Sequence, residues 1–450
     1  MLGKLFNTYF LIGLTILTIL TIYCSNDIKY TWIYVFNIVN FLCFSIYLMC
    51  VYNYPERYFS KYRLFFYTFL YGLFTILWYY IIFDIYKGDS FLYSLYDGPK
   101  YELIMQQYFG KPIVEVCEYV MNKWDIGDLG GPLYLTIIYK IIPSFYFVSF
   151  IHVLLGAINA MALFYIGTQI MHSKSYAYLA AFCYSLSSCT LYFCGAHIKE
   201  TGMCFFIIHS FYFFYKYLER ESVVNLVLCL CFALCVIAFR EPVAGFILLS
   251  FMTYVLYNQK QGRLPLLFLM ILTAIALVFV HPMVESVFMK YTANGNLSKG
   301  ENYQNATSFS ILVSTLGSLF GPFPDFLPLK TDLNSKSIES AGVLMKFLLF
   351  PLFWYGFFTV FKKYKAKILP IFVFVVLEAI AIAVANDGLE VRKSFPHYSM
   401  FFIASFWSLD YIDNVDDNEN NYNKVNRLVN ISIVVVFVCS LAWNTLRIMV

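Results

Sequence analysis

The sequence YDGPKYE occupies residues 96–102, and DLGGPLY follows at residues 128–134. Between residues 87 and 143 the chain holds seven acidic residues and five lysines, whereas long apolar runs flank this region on both sides. Loops carry a large share of binding and catalytic residues, so we expect this loop to be functional. The alternative is a solvated loop that only connects two spans. The surrounding sequence has to decide between a functional loop and such a connector.

The composition is that of a membrane protein. Of the 450 residues, 60% are hydrophobic and 13% are charged, and the mean hydropathy is +0.68. This excludes a soluble protein. Because a helix needs about 20 apolar residues to cross the bilayer, we predict an all-α, polytopic helical membrane protein with about 13 transmembrane helices. Together they form a single integral membrane domain over residues 1–450.

The predicted spans are the apolar runs that are long enough to cross a membrane. They cover 8–24, 31–52 and 64–86 before the loop and 146–170, 176–194, 202–218, 223–239, 243–257, 264–281, 343–361, 368–385, 397–413 and 429–446 after it. Two apolar segments, 133–142 and 309–321, are too short to span. We predict that they form re-entrant or interfacial helices on the outer face.

The orientation follows from lysine and arginine in the short loops, which are enriched on the cytoplasmic side. Such residues concentrate at 57–63, 216–220 and 362–367, among other loops of the same set. We therefore predict a cytoplasmic N-terminus. Two large loops then face outward: 87–145, which carries the acidic cluster, and 282–341, which carries the second interfacial helix.

Asp97 is the first candidate for chemistry. It lies on a turn with Gly98 and Pro99 that leads into a predicted helix at 101–109. A carboxylate at the membrane surface has two candidate roles, as a base toward an acceptor hydroxyl or as a ligand of a divalent cation, and metal dependence stays open. The structural alternative is an aspartate that only caps the helix.

Three basic sites lie on the same predicted face. Lys199 and Glu200 occupy a short turn, Arg240 a second turn, and Arg392 and Lys393 the loop before a late span. Charges so close to hydrocarbon are costly and are usually kept for a partner or a ligand. A lipid-linked phosphate is a fitting ligand, because its anion stays at the surface while its tail stays in lipid. We therefore expect Arg240 and Arg392 to lie close together.

The alternative for these sites is pairing with sequence neighbours. The available pairs are Lys199 with Glu200, Arg240 with Glu241, and Arg392 with Glu390. A further carboxylate, Glu378, is predicted in the middle of a span, where no sequence neighbour can pair with it. His152 and His209 lie on aromatic helices, and we predict that they are hydrogen-bonded core residues rather than metal ligands.

The motif order resembles the GT-C superfamily of membrane glycosyltransferases, in particular bacterial members related to protein O-mannosyltransferases and to lipid A aminoarabinose transferase. Asp97 and Tyr101 match the pattern of the first outer loop, and Gly-Pro-Leu-Tyr at 131–134 matches its exit. The segments 240–245 and 392–396 are similar to two later motifs of the family. The resemblance covers about 300 residues and implies a catalytic Asp97.

The resemblance also implies the substrates and the location. The expected donor is a polyprenyl-phosphate-linked sugar, the acceptor is a glycan or lipid outside the cytoplasm, and the enzyme transfers a hexosyl or pentosyl group in cell-envelope synthesis. We expect a bacterial inner (plasma) membrane location, with no nucleic-acid partner. The substrate-binding candidates are Tyr101, Lys199, Glu200, Arg240, Arg392 and Lys393.

Two other functions fit a protein with many spans. An O-antigen or capsule polymerase also uses lipid-linked sugars, but it relies on arginines in large outer loops, whereas 87–145 and 282–341 contain lysines and no arginine. A lipid or glycan transporter (flippase) belongs to another class. It predicts inverted repeats and ionisable residues deep in several spans.

The predicted orientation can be tested by cysteine labelling. In a chain without its native cysteines, Lys111→Cys and Lys365→Cys should react with a membrane-impermeant thiol reagent from opposite sides, Lys111→Cys from the outside. The reason is that 362–367 belongs to the basic, cytoplasmic set of loops. Labelling of both positions from the same side would contradict the orientation.

Overall fold

The computed structural model describes residues 59–87, 97–123, 128–257, 335–363, 365–384 and 391–414, together with a few residues elsewhere. Within these ranges every regular element is helical, which confirms the predicted all-α class there. The predicted interfacial helix at 309–321 and most of the spans at 8–24, 31–52, 264–281 and 429–446 lie outside the described residues.

The helices within the described ranges are numbered in chain order. In order they are α1 (Lys61–Lys87), α2 (Gly98–Gln107), α3 (Ile113–Lys123), α4 (Gly130–Ile141), α5 (Phe145–Ile170), α6 (Lys174–Ser185), α7 (Ser188–Gly195), α8 (Lys199–Arg220), α9 (Val223–Cys235), α10 (Glu241–Tyr257), α11 (Ser335–Lys363), α12 (Leu369–Val384) and α13 (Val391–Asn414). A short 3-10 helix, Val236–Ala238, lies between α9 and α10.

Within these residues, three helical segments are long and apolar enough to cross a membrane: Lys61–Ile81, Phe145–Ile170 and Ile338–Phe361. Helices α6 and α7 together would make a fourth span, but they are bent by 44° at their junction. The single span predicted at 176–194 is therefore broken. The long apolar helices are those of an integral membrane protein, while the total of about 13 spans remains a prediction.

The break has a local cause in the sequence. Ser187 accepts a hydrogen bond at its side-chain oxygen from the backbone nitrogen of Thr190, at 3.3 Å, and so caps the start of α7. Serine favours this position because it satisfies a backbone N–H that would otherwise have no partner in the first turn. A new helix thus begins inside what hydropathy alone predicts as one span.

Helix α13 lies at the centre of the described bundle. It contacts α5, α6, α8, α11 and α12, and every residue from Ser394 to Ile412 is buried. Aromatic side chains make much of this contact: the rings of Phe395 and Phe193 meet edge to face with their centroids 4.5 Å apart. A helix buried on all sides has to be apolar around most of its circumference, as α13 is.

Helices α2, α3 and α4 form a separate small layer with its own core. Tyr101 and Met105 of α2 are buried together with Val120 of α3 and Leu135 of α4. The helix predicted at 101–109 is confirmed and begins three residues earlier, at Gly98. The short helix predicted at 133–142 is also found, as α4.

Two predicted boundaries are wrong near the charged residues. Helix α8 begins at Lys199, so Lys199 and Glu200 lie in its first turn rather than in a turn between spans. Helix α13 begins at Val391, so Arg392 and Lys393 also lie in a first helical turn. Hydropathy marks where a chain leaves lipid, whereas backbone hydrogen bonding continues the helix through polar residues.

Gly356 of α11 marks a close approach to α12 and α13. A Cβ atom at this position would overlap Ser408 Oγ and lie 2.7 Å from Phe372 Cζ. We expect Gly356→Ala to destabilise the protein by about 1–3 kcal/mol through overpacking. Thermal unfolding of the purified protein in detergent measures this change.

Two further variants control for the substitution itself. Gly110→Ala should be close to neutral, because no atom lies within 4 Å of the added Cβ. Ser408→Ala, combined with Gly356→Ala, should restore part of the lost stability by removing the overlapping oxygen. Equal stability of Gly356→Ala and Gly110→Ala would contradict the packing described here.

Candidate functional site

Asp97 is joined to the far end of the described chain by an arginine. Its Oδ2 accepts a hydrogen bond from Arg392 Nη1 at 2.6 Å, and its Oδ1 lies 3.4 Å from Lys100 Nζ. Asp97 is the residue before α2, yet its side chain makes no capping hydrogen bond to the helix. The capping alternative is therefore wrong, and the carboxylate is held by basic side chains.

Glu200 lies between two arginines. Its Oε1 is 3.7 Å from Arg240 Nη2 and 4.0 Å from Arg392 Nε. The residue is 1% exposed, and within the described part of the chain Oε1 accepts no hydrogen bond. The structure thus brings Arg240 and Arg392 together, as expected, around one buried carboxylate oxygen.

Arg240 also links this cluster to α12 and α13. Its Nη1 donates to the backbone oxygen of Lys393 at 3.3 Å and lies 3.9 Å from Glu378 Oε1. Glu378, predicted in mid-span without a nearby charge, therefore has an arginine beside it. Each arginine contacts carboxylates that are distant in the sequence, which local pairing does not predict.

Lys199 and Tyr101 complete the wall of the site next to α4. Lys199 Nζ contacts Asp128 Oδ1. A Cβ at Gly131 would lie 2.7 Å from Lys199 Cβ and 3.3 Å from Tyr101 Cζ, so the helix can approach both residues only where it has a glycine. Gly131, the first residue of the Gly-Pro-Leu-Tyr stretch, thus allows both Tyr101 and Lys199 to pack against its backbone.

The charges of the site act on its titratable groups. Burial raises the pKa of Asp97, but the positive charges of Arg392 and Lys100 lower it by more. The resulting pKa lies below the ordinary value for an aspartate. Burial, with the negative charges of Glu200, Asp97 and Asp128, raises the pKa of Tyr101. At neutral pH the site therefore presents an ionised Asp97 and a phenol that keeps its proton.

Metal-ligating side chains do not form groups of three in the described part of the chain: no three His, Cys, Asp or Glu side chains there are grouped so that they could hold an ion. The two histidines predicted to be core residues are confirmed: His152 Nδ1 donates to the oxygen of Cys194 at 2.9 Å, and His209 Nδ1 donates to the oxygen of Phe205 at 2.9 Å.

Two buried polar pairs were missed by the sequence analysis. His197 Nδ1 lies 2.6 Å from Glu102 Oε1, and Lys346 Nζ lies 3.3 Å from His397 Nε2. Lys346 could have been noticed as a lone charge within an apolar run. The Glu102–His197 pair has no such signal, because its members are 95 positions apart.

Comparison with known proteins adds no relative: no family model, no curated protein and no solved structure matches the chain. The likeness to the GT-C superfamily rests on the short motifs alone and stays a prediction. What the chain does must therefore be inferred from its own residues and contacts.

The lowered pKa of Asp97 predicts a pH-dependent stability. The ionised carboxylate stabilises the fold fully above the ordinary carboxyl pKa of about 4, and this contribution is lost as the pH falls through the lower folded-state value. We expect the wild type to be more stable than Asp97→Asn at pH 7, and the two to converge in acid. Thermal unfolding in detergent at stepped pH measures the difference.

The control for this series is Glu115→Gln on α3. Glu115 lies 3.8 Å from Lys111 in an exposed pair, and such surface pairs contribute little. Its stability difference from the wild type should stay small at every pH. An Asp97→Asn gap that does not shrink between pH 7 and pH 3 would contradict a stabilising ionised Asp97.

Proposed function

We propose that the protein is a membrane glycosyltransferase that moves a sugar from a polyprenyl-phosphate-linked donor to an extracytoplasmic acceptor in cell-envelope glycan synthesis. One observation carries this proposal: Arg240 and Arg392, which are distant in the sequence, both lie within 4.0 Å of the buried Glu200 oxygen, beside the partly exposed carboxylate of Asp97. A phosphate-binding pair next to a candidate base is what such a transfer requires.

The two arginines would bind the donor phosphate. Their distances to Glu200 Oε1, 3.7 Å and 4.0 Å, are longer than a hydrogen bond, so Glu200 attracts them by charge without fixing them. A phosphate offers several oxygens to planar guanidinium groups and can form bidentate hydrogen bonds. It can therefore compete with Glu200, and Lys199 and Lys393 add positive charge nearby.

Asp97 would act as the base. Its side chain is 34% exposed, which lets a water-borne acceptor approach it. The acceptor oxygen forms a bond to the anomeric carbon, the bond from that carbon to the donor phosphate oxygen breaks, and the acceptor proton passes to Asp97. Polyprenyl phosphate leaves with the bonding electrons, and the arginines neutralise its charge. Configuration at the anomeric carbon inverts.

The contact between Arg392 and Asp97 couples the two roles. While Arg392 donates to Asp97, it lowers the pKa of that carboxyl and weakens it as a base. A donor phosphate that draws Arg392 away would restore basicity to Asp97 when the sugar is in place. We assign no step of this reaction to a metal ion.

A transporter is the second candidate function, and one contact favours it. Lys346 and His397, both 2% exposed, meet at 3.3 Å between α11 and α13. Buried ionisable residues in membrane helices often mark ion or substrate paths. Movement of labelled lipid across the membrane without any sugar transfer would favour this function over the transferase.

Two substitutions separate the proposed roles. Asp97→Asn should bind a polyprenyl-phosphate sugar at least as tightly as the wild type, because it releases Arg392, while turnover falls by about 10²–10⁴-fold. Arg240→Gln should weaken donor binding by about tenfold or more, since a lost charge-assisted contact costs about 1.5–3 kcal/mol. Purified protein in lipid nanodiscs and radiolabelled donors measure both quantities.

Glu115→Gln is the matched control, since it removes an acid of the same loop that lies in an exposed pair with Lys111. It should bind and turn over donor as the wild type does. Normal turnover in Asp97→Asn would refute the catalytic role. Unchanged donor affinity in Arg240→Gln would leave Arg240 as a structural ion-pair partner.

A further inference from the structure

A second polar network lies beside the site and plays no part in the proposed reaction. Glu102 Oε1 of α2 is 2.6 Å from His197 Nδ1, and His197 Nε2 is 2.8 Å from Ser149 Oγ of α5. His197 is 0% exposed. The network thus joins the small layer formed by α2, α3 and α4 to the connection between α7 and α8.

The order carboxylate, imidazole and hydroxyl is that of a nucleophilic triad, but the surroundings do not suit one. Ser149 is 1% exposed, and its hydroxyl also contacts the hydroxyl of Tyr80, so a substrate cannot reach it. His197 Nε2 also lies 3.1 Å from the backbone oxygen of Phe145. Because Ser149 is inaccessible, the network does not have the exposed hydroxyl that a nucleophile needs.

The backbone of His197 has an unusual conformation that neighbouring contacts must stabilise. Its φ is 48°, in the left-handed region that non-glycine residues rarely adopt. Residues held in such conformations need support from neighbouring contacts, and they cluster at functional sites. Here the Glu102, Ser149 and Phe145 contacts supply that support two residues before Lys199 begins α8.

We propose that Glu102 and His197 are positioning residues, which fix α2, the helix that follows Asp97, against the start of α8, which carries Glu200. This inference rests on the proposed transferase function. Glu102 lies five residues after Asp97, on α2, and His197 lies three residues before Glu200. Both α2 and α8 also pack against α4, and the Glu102–His197 contact adds a polar link across that junction.

The pair should affect catalysis rather than donor binding. Arg240 and Arg392 lie on other elements, so the phosphate contacts stay in place when the link is broken. Asp97, in contrast, must meet the acceptor hydroxyl at hydrogen-bond distance, and a displacement of about 1 Å can lower the rate about 10²-fold. Loss of the link should therefore reduce kcat and leave donor affinity unchanged.

The test compares Glu102→Ala with Glu102→Gln. The alanine removes the acceptor of the His197 N–H, and we expect kcat to fall by about 10²-fold with unchanged donor affinity. Glutamine keeps an acceptor oxygen at the same reach, so it should restore kcat to within a few-fold of the wild type. Glu115→Ala, at an exposed pair on α3, should match the wild type.

Hydrogen–deuterium exchange of the peptide 98–107 gives a readout that does not depend on transfer. It should speed up in Glu102→Ala and stay as in the wild type in Glu115→Ala and Glu102→Gln. A wild type that transfers sugar and a Glu102→Ala variant with normal kcat would overturn the positioning role. If the wild type transfers no sugar from any donor, the proposed function is refuted instead. In that case, unchanged hydrogen–deuterium exchange of peptide 98–107 in Glu102→Ala would also refute the structural link between Glu102 and His197.

Discussion

The buried carboxylate of Glu200 is the constraint on which the rest of the site depends. A carboxyl group that is 1% exposed loses its hydration, and nearby positive charge offsets this loss. Two arginines within 4.0 Å supply it. Because Arg240 precedes α10 and Arg392 lies in the first turn of α13, satisfying Glu200 fixes where these helices start relative to α8.

The helix dipoles make this arrangement unfavourable without a further partner. Lys199 and Arg392 lie in the first turns of their helices, where the positive end of the dipole repels a cation by about 0.3–1 kcal/mol. Each has a carboxylate against it that comes from the residues just before a helix of the small layer: Asp128 for Lys199 and Asp97 for Arg392. These carboxylates offset the repulsion between each cation and the start of its own helix.

Sequence reasoning predicted local parts of this structure and one distant proximity, but it missed the specific distant contacts. The helix after Asp97, the short helix after Gly131 and the proximity of Arg240 and Arg392 follow from turn residues, apolar length and charge placement. The contact between Asp97 and Arg392 joins residues 295 positions apart, and periodicity carries no information on such partners. The boundaries at Lys199 and Val391 were missed because hydropathy does not register a helix that continues beyond the lipid.

The presence of Glu200 between the two arginines also suits the charge change in the proposed reaction. A sugar linked through a phosphodiester carries about one negative charge, whereas the polyprenyl phosphate product is a monoester with about −1.5 to −2 at pH 7. Two arginines alone would hold the product more tightly than the donor and slow its release. A fixed carboxylate that competes for both guanidinium groups reduces this difference, because it opposes the ligand with the larger negative charge more strongly. In the proposed reaction, Glu200 would hold the arginines together before the donor binds and would favour departure of the product after transfer.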